Sequence, residues 1–345
     1  MRKVVFSSII GLFICFIFIL PIYANLNIYF LDVGQGDSSL IICPTGRVAL
    51  IDSGPSSEII LNHLRDLKID RIDLIIASHA HADHITGMDE IIAQYKPRAF
   101  IDPGLSHTTT TYERMIDALV EYNINYYEGT SRQISLGDLI FTVMPPAEPL
   151  INISELNNNS TVVRLDYYDF SVLYTGDIEK DRERSLLNRA DNLLDVNVLK
   201  IPHHGSSSSS SAIFVKATNP EVGIISCGEN NTYNHPNDEV LSLYSNLDIN
   251  IYRTDQHGTI LVQTDGSDYT IHPEIDATCL PMVKNKETKQ DNSLEYKYAA
   301  SKKSKVFHYI DCNCVKQISL ENLILFKTRE EAIASDRRPC KRCNP

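Results

Sequence analysis

Three histidines and an aspartate fall within six residues in the stretch HAHADH, His79 to His84, directly after the apolar run IDLIIA. Imidazole nitrogens and carboxylate oxygens are ligands for zinc and its neighbours. His79 and His81 can point at one cation, and Asp83 and His84 at another a few ångströms away. The alternative is a polar loop that happens to be histidine-rich. Four ligands at this spacing, straight after a buried strand, favour a metal site. Further candidates stand at strand ends: Asp177 after SVLYTG, and the pair His203 and His204 after VLKIP. A carboxylate such as Asp177 can bridge two cations, and two cations supply a strong nucleophile at neutral pH for an in-line displacement. Taken alone, Asp177 reads as an N-cap for the helix that follows. Beside the histidine loop it reads as a ligand. Asp83 and His235, the latter in NHPNDEVL, are the candidate catalytic groups. His235 could contact a phosphate oxygen or protonate a leaving oxygen, or it is only a helix-start residue ahead of Pro236. His107, in GLSHTTTT, falls on a loop whose hydroxyls could reach substrate.

A second ligand set closes the chain. His308-x3-Cys312 is followed, after 27 residues, by Cys340-x2-Cys343. That spacing can close a tetrahedral zinc site. A module of about 45 residues can hardly bury a sufficient core without such a staple. Disulfides, with Cys314 as an odd thiol, are the competing reading.

These residues need elements to position them. LNIYFLDV, SSLIICP and RVALIDS read as strands, and SSEIILNHLRDL as a helix capped by serine. Strand and helix patterns then alternate: IDLIIAS with MDEIIAQY, and AFIDP with TYERMIDALVEY. LIFTVMPP, STVVRLDY and FSVLYTG are strand-like, ahead of the charged helix IEKDRERSLLNRA. VNVLKIP, EVGIISCG and GTILVQTDG complete the pattern. Runs of this kind predict sheets covered by helices, an α/β class. The six serines from Ser206 read as a loop and the cap of the next helix. The reading divides the chain into a leader (1–24), a main α/β domain that carries the histidine loop (25–272), a polar linker (273–299) and a small metal-binding module (300–345). The leader carries Arg2 and Lys3 before an apolar stretch, and Ala24 offers a cut site. It predicts export, with an uncleaved membrane anchor as the alternative.

The net charge is −12 over 345 residues, which disfavours a nucleic-acid binder built on a broad basic surface. The charge is uneven. Residues 301–345 hold ten Lys/Arg against five Asp/Glu, so they carry +5 and the remainder −17. A basic tail on an acidic core suggests two modules with different tasks.

HAHADH, TGD and KIPHHGS together resemble the metallo-β-lactamase superfamily. LDVGQGDS, LIDSG, NNNSTVV, HHGSSSSS and NHPNDEVL narrow the resemblance to the hydrolase domain at the C-terminus of DNA-internalisation competence proteins. It covers roughly Leu26 to His272. It implies an αββα sandwich with two divalent cations, zinc or manganese, where the sheets meet, and hydrolysis of phosphodiesters in extracellular DNA. It implies that His79 and His81 hold the first cation, and that Asp83, His84 and His203 hold the second, with His204 as the alternative to His203. Asp177 would bridge the two, and Asp37 and Asp52 would orient ligand histidines. Where many members carry another histidine, this chain has NNNS. Asn158 or Asn159 then takes the place, and an amide oxygen is a weak zinc ligand. Residues 300–345, with TREEAIAS and RPCKRCNP, resemble the metal-binding domain of the Ada DNA-repair protein. That implies one structural zinc and a DNA contact through Arg337, Arg338, Lys341 and Arg342, which could equally be a solvated face. Competing functions are hydrolysis of a choline phosphodiester or a lactone, and DNA binding without catalysis.

Overall fold

The computed structural model describes residues 25–275, 297–310 and 322–341, together with Cys312, Cys314, Val315, Ile318, Cys343 and Pro345. The expected leader, most of the expected linker, and Arg342 lie outside the described residues.

Alternation of buried and half-exposed side chains sets the first strand, Leu26–Phe30, in the middle of an eight-stranded sheet. Leu26, Ile28 and Phe30 face inward and Tyr29 faces outward, the two-residue period of a pleated strand. In spatial order the sheet runs Tyr269–Pro273, Ile260–Thr264, Leu26–Phe30, Ser39–Ile42, Val48–Ile51, Leu74–Ile76, Ala99–Asp102 and Asn125–Glu128. A second sheet has seven strands: Asn250–Arg253, Val222–Ile225, Val198–Lys200, Phe170–Tyr174, Val162–Tyr167, Leu139–Met144 and Arg132–Leu136.

The inner faces of the two sheets share one apolar cluster, in which Phe30, Ile41 and Ile76 of the first meet Phe141, Phe170 and Val198 of the second. The outer face of the first sheet is covered by the helices Ser57–Asp66, Met88–Tyr95 and Thr110–Glu121, through Ile60, Leu64, Ile91 and Met115. Lys180–Arg189, Ala212–Thr218 and Asp238–Ser245 cover the second, through Leu186, Phe214 and Tyr244. Helix, sheet, sheet, helix is the expected αββα sandwich. The last three serines and the helix after them behave as read: Ser211 caps Ala212–Thr218, accepting from Phe214 N at 3.4 Å.

What positions the site is the parallel half of each sheet. Val48–Ile51, Leu74–Ile76 and Ala99–Asp102 run parallel, as do Phe170–Tyr174, Val198–Lys200 and Val222–Ile225. Their carboxyl ends emerge together, and loops at such ends carry the chemistry of α/β proteins.

The last strand of the sandwich ends at Pro273, and the next described strand begins at Tyr298. It opens a four-stranded sheet of Leu323–Phe326, Tyr298–Ser301, Val306–Tyr309 and Arg338–Pro339, with the helix Arg329–Ala334. Its core is small: Ala300, Phe307, Phe326 and Ala332. Among the described residues no helix is long and apolar enough to cross a membrane.

Candidate metal centre

The strand Leu74–Ile76 delivers Ser78 and His79 to the sandwich edge, and the short helix Ala82–Ile85 turns Asp83 and His84 back toward the second sheet. Gly36 lets the loop before Asp37 lie against this turn, since a Cβ there would sit 2.3 Å from the Asp83 carbonyl oxygen. Gly176, at φ +53°, brings Asp177 in beside Ser78 in the same way.

Asp83, His84, Asp177 and His204 form one cluster, each offering a ligand atom within 4.8 Å of the others. His84 Nε2 lies 3.3 Å from Asp177 Oδ2, and His204 Nε2 lies 3.4 Å from both Asp177 Oδ2 and Asp83 Oδ2. The opposite ring nitrogens are already engaged. His84 Nδ1 donates to Asp52 Oδ2 at 2.9 Å, and His204 Nδ1 donates to the Ser226 carbonyl at 2.9 Å, with Asp37 Oδ1 at 3.2 Å. In the neutral rings that fixes both tautomers, with each Nε2 facing the cluster as the ligand atom. His84 Nε2, His204 Nε2 and Asp177 Oδ1 are buried without a hydrogen-bond partner. Buried polar atoms are normally satisfied, and three orphans that converge with a carboxylate make a donor set that fits a divalent cation. His79 adds Nε2 at 3.8 Å from Asp177 Oδ2 and 2.9 Å from His81 Nδ1. Of the expected first-cation pair, His79 thus borders the same carboxylate oxygen and His81 lies against His79.

The electrostatics agree with that reading. Burial alone would raise the Asp177 carboxyl, but His204 and His84 outweigh it and hold it well below the usual range. Burial would lower His84 and His204. Asp177, with Asp52 for the first and Asp37 for the second, reverses this and holds both well above the ordinary histidine value. Asp83 is pulled down to about 2, against its burial, by His204 and His84. His79 moves the other way, pushed well down by burial and by His84. The Asp177 and Asp83 carboxyls thus favour the ionised form, and without a cation His84 and His204 favour a proton on Nε2, the proton that a bound cation would displace.

The structure orders the two adjacent histidines. Both residues have left-handed backbones, at φ +50° and +51°, so their side chains diverge. His204 enters the cluster. His203 stands at its rim, with Nε2 3.8 Å from Asp177 Oδ2 and Nδ1 3.2 Å from Ser208 Oγ and 3.6 Å from Glu179 Oε1. Of the two histidines expected for the second cation, the alternative, His204, is the one that reaches the cluster. His235 lies beyond, its ring 5.6 Å from that of His203 and 6.4 Å from that of His204. Burial and those two rings lower it to about 4. That shift favours the neutral ring. His107 comes within 6.5 Å of the His81 ring, and Thr109 beside it caps Thr110–Glu121.

The cap, only the alternative reading of Asp177, is supplied by another residue: Asn158 Oδ1 accepts from Glu179 N at 3.0 Å and Arg182 N at 3.3 Å, and so caps Lys180–Arg189 from outside. The expected place of Asn158 or Asn159 among the ligands changes with it. Asn159 is spent on Ile151 and Glu155 backbone groups. Neither amide has an oxygen free for a cation. The asparagine that faces the site is Asn157, whose Nδ2 lies 3.5 Å from His203 Nε2 and whose buried Oδ1 has no partner. Lys200 was also passed over. It is 2 % exposed, and its Nζ is 2.8 Å from Asp37 Oδ2. A lysine closing an otherwise apolar strand was the available signal, since a buried ammonium needs a partner.

In the C-terminal module His308 Nδ1 lies 3.7 Å from Cys312 Sγ and 3.9 Å from Cys343 Sγ, and the three could hold one metal ion. Burial, with Cys312 and Cys340 beside it, pushes the Cys343 thiol up to about 11. Cys340 is buried, and it stands beside the Cys343 thiol. Arg337 stacks on Phe326 at 5.7 Å and bonds Ser335, while Arg338 is exposed.

Residues 31–229 match the family model described as Metallo-beta-lactamase superfamily. ComE operon protein 3 of Bacillus subtilis (strain 168) is 32% identical over 268 residues, which is 70% of this chain and 34% of that protein. Competence protein ComA of Neisseria gonorrhoeae is 28% identical over 240 residues, 66% of this chain and 31% of that protein. Ribonuclease Z of Treponema pallidum (strain Nichols) is 29% identical over 104 residues, 28% of this chain and 33% of that protein. The chain spans about a third of the length of these relatives.

Proposed function

Because the chain belongs to the metallo-β-lactamase superfamily, we propose that its centre hydrolyses phosphodiesters of nucleic acid and that DNA is the substrate. The observation that carries the reading is the convergence of unpaired His84 Nε2, His204 Nε2 and Asp177 Oδ1 beside Asp83. His84, His204, Asp83 and Asp177 would hold one divalent cation, and His79, His81 and Asp177 a second. Cations there supply a water made nucleophilic at neutral pH and offset charge developing on the phosphate. Asp52 and Asp37 hold the two ligand rings in the tautomer that keeps Nε2 free. Burial would raise the Asp37 carboxyl, but Lys200, His204 and His84 together outweigh it and keep it below its usual range. His203, bonded to Ser208 Oγ and near Glu179, would pass a proton to the leaving oxygen. His235 would contact a phosphate oxygen.

The choice of nucleic acid is supported by relatives named for competence and for a ribonuclease. The acidic core opposes a polyanion. Divalent cations dominate the field locally, and the basic residues of 301–345 add attraction. We read that module as a zinc-stapled DNA contact and residues 1–24 as an export signal. The test is to incubate the full chain with labelled single- and double-stranded DNA plus zinc or manganese. Cleavage that a chelator abolishes supports the reading. No cleavage with either metal, beside turnover of a choline phosphodiester or a lactone, moves the assignment to those substrates.

A further inference from the structure

A row of rings leads out of the centre. The His235 ring lies 6.4 Å from His204 with planes 25° apart, and Tyr233 lies 5.8 Å beyond His235, again at 25°. Tyr233 is 66% exposed. On its inner side it stands beside His235, and the rest of the ring is open to solvent.

The loop that displays it is held firmly. Asn231 Oδ1 accepts from Tyr233 N at 3.2 Å and from His235 N at 3.0 Å. Its Nδ2 donates to the carbonyls of Gly228 at 3.0 Å and His235 at 2.5 Å. Gly228 N donates in turn to Gln35 Oε1 at 3.1 Å, which ties the loop to the segment that carries Asp37. One asparagine thus fixes the backbone on both sides of an exposed aromatic, next to the rings that border the metal centre. An adventitious surface tyrosine needs no such support.

We infer that the outer face of Tyr233 is a stacking platform for a base of single-stranded DNA whose backbone phosphate lies at the centre. The inference rests on the phosphodiester reading above and adds to it the strand state of the substrate. A flat, rigidly held ring with one open face fits another flat ring, and every base has such a face. In a duplex those faces are covered by neighbouring base pairs, so a base must be unstacked to use the platform. A quaternary ammonium such as choline is recognised by several rings forming a cage. Here one side of the ring is open and His235 stands beside the other.

The test compares two 12-residue phosphorothioate strands, which resist hydrolysis, one of thymidine and one of abasic residues. Binding to the full chain is followed by fluorescence anisotropy. The wild type is expected to prefer the thymidine strand about ten-fold, within the range for one base stacked on an aromatic side chain. Tyr233→Ala should reduce that preference to about two-fold or less, and Tyr233→Trp should keep it. An undiminished preference in Tyr233→Ala, or none in the wild type, overturns the platform. Phosphocholine that displaces the thymidine strand from the wild type but not from Tyr233→Ala also overturns it, in favour of a cation pocket. Hydrolysis of the ordinary thymidine strand with zinc or manganese is read separately. If the binding preference holds and no hydrolysis occurs, the phosphodiesterase reading fails and the platform stands.

Discussion

At the scale of single residues, adjacent positions have unlike roles. Asn157 faces His203, whereas Asn158 caps a helix and Asn159 braces a loop. Asn158→Ala should therefore destabilise the protein by about 1–2 kcal/mol, the range for a lost cap, and leave its metal content unchanged. Chemical denaturation and metal analysis of the same sample check this. Loss of bound metal would restore the asparagine to the ligand set. The histidine loop, Asp177 and the HHGS stretch were legible because their residue types have few other uses at strand ends. The order of His203 and His204, and which of three asparagines faces inward, were not. Both depend on side-chain direction in irregular backbone, where neither the helical nor the strand period applies.

At the scale of elements, the strands were legible from alternation and from apolar runs, and their shared carboxyl edge follows from parallel pairing. Tertiary partners of polar side chains were less legible. Glu183 lies on a helix that reads as charged and exposed, yet it is fully buried, accepting from Ser210 N at 2.5 Å and Ser211 N at 2.8 Å. Burial raises its carboxyl from 4.5 to about 7. A folded-state value above the unfolded one means that the folded state holds the proton more tightly. Its contribution is therefore full below about pH 4.5 and is lost as pH rises through 7. The shift corresponds to about 3 kcal/mol. Denaturation between pH 4.5 and 8 should show stability falling by that order relative to Glu183→Gln, whose profile should be flatter. Parallel profiles would show that Glu183 is ionised in the folded protein throughout.

At the scale of the whole molecule, an acidic hydrolase carries a basic module, and the two should divide binding from chemistry. Two or three Lys/Arg contacts to phosphate release counterions on binding. Raising salt from 50 to 200 mM should then lower kcat/KM on long DNA about ten-fold or more in the full chain. A chain ending at residue 275 should change much less. Equal salt dependence in the two forms would show that the module does not recruit DNA. The centre itself is the core of the account, and its most direct test is the metal-to-protein ratio of the full chain and of Asp177→Asn, by plasma emission spectrometry. The account predicts three bound cations in the wild type, two at the sandwich edge and one in the module. It predicts no more than two in the variant, with hydrolysis reduced a thousand-fold or more, because several kcal/mol of charge stabilisation is removed. A wild-type ratio of one that disappears with Cys312→Ser, or an Asp177→Asn protein with full metal content and undiminished turnover, would contradict it.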